Sequence, residues 1–171
     1  MALSYKKIAS QELTTTTASV VFTSIPQTYT DLMVRFTARA NTADTNVNVY
    51  LRFNGDNAGV YSSRQMSWYS TATNYNQSVS GRTQIDNGPW ATGANITSNV
   101  FASNTVYVPR YTQVIPHQVS ILGGINNGAT NSWAIDTAGL YSVSDAIVTV
   151  ALFPYSGSFV AGSNFYLYGI A

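Results

Sequence analysis

His117 is the only imidazole in the chain, so any Ser-His-Asp chemistry would have to run through it. It follows Pro116 at the start of a strand-like run, and no Gly-x-Ser-x-Gly elbow exists to present a nucleophile. Those neighbours make His117 a surface or interface residue. Glycoside hydrolysis needs two facing carboxylates. The chain has one Glu, Glu12 near its N-terminus, and its Asp residues are scattered, mostly in turn-like sequence. Asp136 lies within a strand-like run, between Ile135 and Thr137, and reads as a polar-face or ion-paired residue. The stretch Asp44-Thr45-Asn46-Val47-Asn48 imitates the start of a calcium loop. Its sixth position is Val49 and its twelfth Gly55, where such a loop needs Gly and a bidentate Glu. With no Cys and one His, thiolate and transition-metal sites have no ligand set. These residues imply no catalytic centre, no metal site and no cofactor.

The remaining candidates are cationic and aromatic. Arg35, Arg39, Arg52 and Arg64 occur in sequence near Tyr50, Tyr61, Trp68 and Tyr69. Arginines among aromatics can form a nucleic-acid platform or a protein interface. A net charge of +1 supplies no long-range field for a polyanion or an anionic membrane, which favours the interface. Trp68, Tyr69, Tyr75 and Trp90 fall in a stretch rich in Ser, Asn, Gln and Gly, where amphipathic rings could stack on sugars or make subunit contacts. The four arginines and these four rings are the candidate partner or glycan contacts. Asn76-Gln77-Ser78 and Asn95-Ile96-Thr97 match the glycosylation pattern, but no secretory signal accompanies them.

The elements that must position these residues have a period of two. Leu32, Val34 and Phe36 alternate with Met33, Arg35 and Thr37; Val47, Val49, Leu51 and Phe53 alternate with Asn48, Tyr50, Arg52 and Asn54. A short polar segment joins the two runs, so they are expected to form an antiparallel hairpin with Arg35, Arg39, Tyr50 and Arg52 on its other face. Further strands are expected over 19–23, 100–108, 117–125, 133–141, 146–153 and 159–170. Gly123-Gly124 and Asn126-Asn127-Gly128 close the third of these, and Asn54-Gly55, Asn87-Gly88-Pro89 and Pro154 punctuate the rest. Residues 61–94 read as long loops with one or two edge strands, and a single helical turn is possible over 92–95. Alternation predicts a core of Leu32, Val34, Phe36, Val47, Val49, Leu51, Phe53, Val119, Ile121, Ile135, Ile147, Phe165 and Leu167.

With 171 residues, 45% hydrophobic, the chain suits one domain that folds without disulfides. Many short strands predict an all-β fold, a single antiparallel β-sandwich over 11–171, of jelly-roll-like form first and immunoglobulin-like second, preceded by an N-terminal arm over 1–10. Only 9% of residues are charged while 13% are aromatic, the profile of a building block or binding module that packs against copies of itself. No apolar run is long enough to cross a bilayer as a helix.

Three stretches together resemble small tailed-phage virion proteins, especially those of phages of cyanobacteria and other aquatic bacteria. They are Ser24-Ile25-Pro26-Gln27-Thr28-Tyr29-Thr30-Asp31-Leu32, Leu51-Arg52-Phe53-Asn54-Gly55-Asp56, and the terminal run from Phe159 through Asn164-Phe165-Tyr166-Leu167-Tyr168 to Ile170. The resemblance implies a non-enzymatic capsid decoration (cement) protein. It would be a homotrimer on the outer capsid surface of the virion, made in the host cytoplasm and seated on the major capsid protein. Such a protein binds the assembled lattice at many sites and stabilises it by mass action. The alternative is a receptor-binding or carbohydrate-binding module of a tail or head fibre, with a host surface glycan as partner. Neither reading involves nucleic acid or a membrane.

Overall fold

The computed structural model describes residues 4–69, 74–127 and 132–171. Met1, Ala2 and Leu3 of the expected arm, Gly128 of the expected turn and part of the 61–94 stretch lie outside them. The described residues form twelve strands: β1 (Tyr5–Glu12), β2 (Val20–Phe22), β3 (Asp31–Ala38), β4 (Asn46–Phe53), β5 (Tyr61–Tyr69), β6 (Asn74–Arg82), β7 (Trp90–Thr92), β8 (Ala102–Val108), β9 (His117–Asn126), β10 (Ser132–Tyr141), β11 (Val150–Pro154) and β12 (Asn164–Ile170). They make an antiparallel, jelly-roll-like β-sandwich. An eight-stranded sheet runs β1-β12-β3-β8-β9-β10-β5-β6, and a four-stranded sheet β2-β11-β4-β7 packs on one side of it.

Alternation sets which face each strand buries. β3 turns Leu32, Val34, Phe36 and Ala38 inward, and β4 does the same with Val47, Val49, Leu51 and Phe53. The two strands do not form the expected hairpin. β3 pairs with β12 and β8 in the large sheet, and β4 with β11 and β7 in the small one. Two apolar faces pointing at one core from opposite sides remove more surface from water than two neighbours in one sheet. Arg35 and Arg52, expected on one face, therefore lie on opposite outer surfaces.

All thirteen residues named from alternation are buried. Phe165 is central, stacked on Phe36 at 5.2 Å and tilted against Phe159 at 4.9 Å. Asn54 and Gly55 both have positive φ, 52° and 69°, as a type I′ turn requires. Here the turn leads from one sheet to the other. The Asn54 side chain holds it by accepting from the Val148 and Thr149 N–H groups at 2.9 and 3.2 Å and donating to the Ala146 carbonyl at 2.9 Å.

Several boundaries differ from expectation. The expected strand over 159–170 begins only at Asn164, because Gly162 at φ 88° turns the chain just before it. From Tyr5 onward the expected arm is an edge strand, paired with β12 and bulged between Lys7 and Ala9. Gly123 and Gly124 lie inside β9 rather than closing it. A Cβ on Gly123 would come within 2.2 Å of the Asn104 side-chain oxygen, so glycine there makes room for a buried amide. The 61–94 stretch, expected as long loops with one or two edge strands, holds edge strands β6 and β7 and also an internal strand, β5, and the described residues near 92–95 make a turn without a helix. His117 is buried rather than exposed. Its ring stacks on Tyr141 at 6.4 Å and 14°, and its Nε2 meets the Asp145 carbonyl at 2.8 Å.

Tyrosines give the fold an alkaline limit. Burial raises the pKa of Tyr61, Tyr111 and Tyr141. Tyr107 is pushed up to about 12, first by the hydrogen bond it donates to Asp31 at 2.7 Å and then by burial. Raised values mean that the fold disfavours the phenolates. The stability these groups contribute is fully present below the unfolded tyrosine value of about 10 and is lost as pH rises through the folded values. The melting temperature should hold to about pH 9 and fall steeply between about pH 10 and 12, with phenolate absorbance rising as the protein unfolds. A melting temperature unchanged across that range would contradict this.

Candidate functional site

The small sheet covers the inner face of the large sheet and leaves the outer face open. On that face β5 reverses the usual order. It buries Tyr61, Ser63, Gln65 and Ser67 and turns Arg64, Met66 and Trp68 outward. Met66 is 46% exposed and Trp68 44% exposed, while hydroxyls and an amide occupy the interior. Hydrophobic burial alone would favour the opposite arrangement, so β5 presents apolar side chains on the open face where most strands present polar ones.

Strand register extends that surface into rows. Trp68 faces Ala134 of β10, then Gly124 of β9, Ser103 of β8 and Thr37 of β3. The next row, about 7 Å along the strands, is Met66, Asp136, Leu122, Thr105, Arg35 and Tyr166. Ala134, Gly124 and Ser103 are small, so the first row sinks into a trough of about 570 Å³. Trp68, Tyr69, Phe101, Ile125, Asn126, Ser132 and Trp133 complete the lining, with no ionisable carboxylate or amine among them. An indole over a floor of small residues, with hydroxyl and amide groups within reach, suits a ligand that has both C–H faces and hydroxyl groups.

The candidate contacts separate. Trp68 is in the trough, and Tyr69 lines its end, packed edge-on to Trp133 at 6.2 Å. Tyr75 is exposed but pairs in register with Ser67, which points inward, so its ring is on the other face from Trp68. Trp90 is only 2% exposed and is no surface contact. It sits in β7 of the covering sheet beneath Tyr69, and its indole N–H donates to the Asn48 side-chain oxygen at 2.6 Å. Arg39 donates to the Ala94, Ile96, Thr97 and Val100 carbonyls, which ties down the loop before β8. Arg52 reaches Thr83 and Gln84 and lies 5.0 Å over the Phe153 ring on the far sheet. Both have structural partners. Arg35 and Arg64 are exposed on the open face. Asp136 is on the same face, half-buried in mid-strand. Among the described residues the ion pair is Arg82–Asp86, at 3.0 Å. Sequence reading missed Phe101, Ser103, Gly124, Ala134 and Trp133. The trough floor is made of small residues, which carry no pattern of their own, and alternation alone would turn Met66 and Trp68 inward.

No family model and no curated protein matches this chain. Among solved structures it is similar to the Ruminococcus gnavus IT-sialidase CBM40 bound to α2,6-sialyllactose, at TM-score 0.39 and 8% identity, covering 95% of this chain and 92% of that one. The same CBM40 bound to α2,3-sialyllactose aligns at TM-score 0.36 and 10% identity, over 95% and 92% of the two chains. Galectin LEC-6 of Caenorhabditis elegans aligns at TM-score 0.26 and 14% identity, over 88% and 95%.

Proposed function

We propose that this chain is a non-enzymatic binding module that holds a glycan in the trough on the outer face of its large sheet. The observation that carries the reading is the reversed burial of β5, which sets Trp68 beside a floor of Ala134, Gly124 and Ser103. Trp68 supplies the stacking surface, and Ser103, Ser132 and Asn126 supply neutral polar groups. The test is a glycan array followed by titration calorimetry on whatever binds. Trp68→Ala should weaken binding at least about tenfold, or about 1.4 kcal/mol. Its loss of stability should stay below the about 3–5 kcal/mol of a fully buried aromatic, because the ring is 44% exposed. Binding that is indifferent to Trp68 would remove the trough as the site.

A second reading, the capsid decoration protein, draws support from the edges of the large sheet. Among the described residues β1 pairs only with β12 and β6 only with β5, so each presents an edge of backbone groups that a neighbouring copy or a capsid strand could meet. Quantitative mass spectrometry of purified particles separates the two. A copy number comparable with the major capsid protein supports cementing. A copy number like that of a tail component supports a glycan-reading fibre, and absence from particles excludes both virion placements.

A further inference from the structure

Building on the glycan reading of the trough, we propose that its ligand is an acidic oligosaccharide whose carboxylate or sulfate is held by Arg35. The trough does not end at Ser103. A second hollow of about 230 Å³ shares that residue and runs on past Thr37 and Tyr166 to Arg35. A third, about 330 Å³, continues on the other side of Arg35 between Met33, Thr105, Tyr168 and Tyr5. From Trp68 on β5 to Arg35 on β3 is four strand spacings, about 19 Å, which is longer than one sugar ring.

Arg35 is the cation this path leads to, and none of the described residues pairs with it. Its cross-strand neighbours, Thr105 and Tyr166, are neutral. The nearest acid on the β1 side, Glu12, accepts a hydrogen bond from the Tyr166 hydroxyl at 3.1 Å. Arg39 and Arg52 are occupied by backbone carbonyls, Gln84 and Phe153. Arg64 lies in a separate hollow of about 390 Å³ with Ser62, Ser78, Ser80 and Gln118, which shares no residue with the trough. A guanidinium presents a planar fork that matches a carboxylate or sulfate.

The test uses the full chain on an array of matched pairs: oligogalacturonate beside its methyl ester, and sulfated beside desulfated keratan oligosaccharides. At least one acidic member should bind about tenfold better than its neutral partner. That preference should vanish in Arg35→Gln, persist in Arg64→Gln and shrink as salt rises, while the contribution of Trp68 should resist salt. Loss of preference only in the carboxylate pair or only in the sulfate pair identifies which group Arg35 holds. Trp68-dependent binding with equal affinity within every pair, or a preference that survives Arg35→Gln, would overturn this inference and leave the glycan reading intact. Absence of any Trp68-dependent binding would overturn both.

Discussion

Phe165→Ala should lower the unfolding free energy by about 3–5 kcal/mol. The ring is fully buried in β12, an internal strand between β1 and β3, and lies between Phe36 and Phe159. Removing it forfeits the transfer free energy of a benzyl group and leaves a void that the two neighbouring strands cannot close, since their backbones are held by ladder hydrogen bonds. Phe165→Leu, which keeps most of the volume, should cost less. Urea denaturation measures both, and an unchanged slope against denaturant would show that stability rather than the unfolded state had changed. A cost below about 1 kcal/mol for Phe165→Ala would mean that the position is not packed as described.

Asn104→Ala should cost about 2–6 kcal/mol through lost hydrogen bonds rather than lost volume. Asn104 lies on β8 of the large sheet and points inward. Its side-chain oxygen accepts from the Trp90 N–H at 3.1 Å and its amide donates to the Trp90 carbonyl at 2.7 Å. One side chain thus imitates a strand partner for β7 and ties the two sheets together. Without it, two buried backbone groups lose their partner, each at about 1–3 kcal/mol. Gly123 is the complement. Because a Cβ there would strike the Asn104 side-chain oxygen at 2.2 Å, Gly123→Ala should displace the same amide. The two losses should therefore overlap, with the double variant much more stable than the sum of the singles predicts. Strict additivity in that cycle would refute the coupling. Ser103 and Gly124, next in sequence to these two, form part of the trough floor on the opposite face. Asn104→Ala should thus also weaken binding of the glycan proposed for the trough, by shifting its floor.

Much of the architecture follows from local pattern. The two-residue period makes a strand wherever one side can be buried, so β3, β4, β9, β10 and the thirteen core positions could be read from the chain alone. Asn54-Gly55 could be read as a tight turn because few residues adopt positive φ there. The same rule failed at β5 because that strand buries Ser63, Gln65 and Ser67 and exposes Met66 and Trp68; alternation tells which residues share a face but assumes that the apolar face is inside. Pairing partners were also out of reach. β3 and β4 are neighbours in sequence and lie in opposite sheets, which moved Arg52 to the far side of the molecule from Arg35. Trp90, an exposed-looking ring in a polar stretch, became core once β7 joined the covering sheet. The trough exists only because Trp68, Ala134, Gly124 and Ser103 meet in one row across four strands. Local sequence determines a strand's two faces, but burying apolar surface from distant segments together decides which strands pair and which face remains open to a ligand.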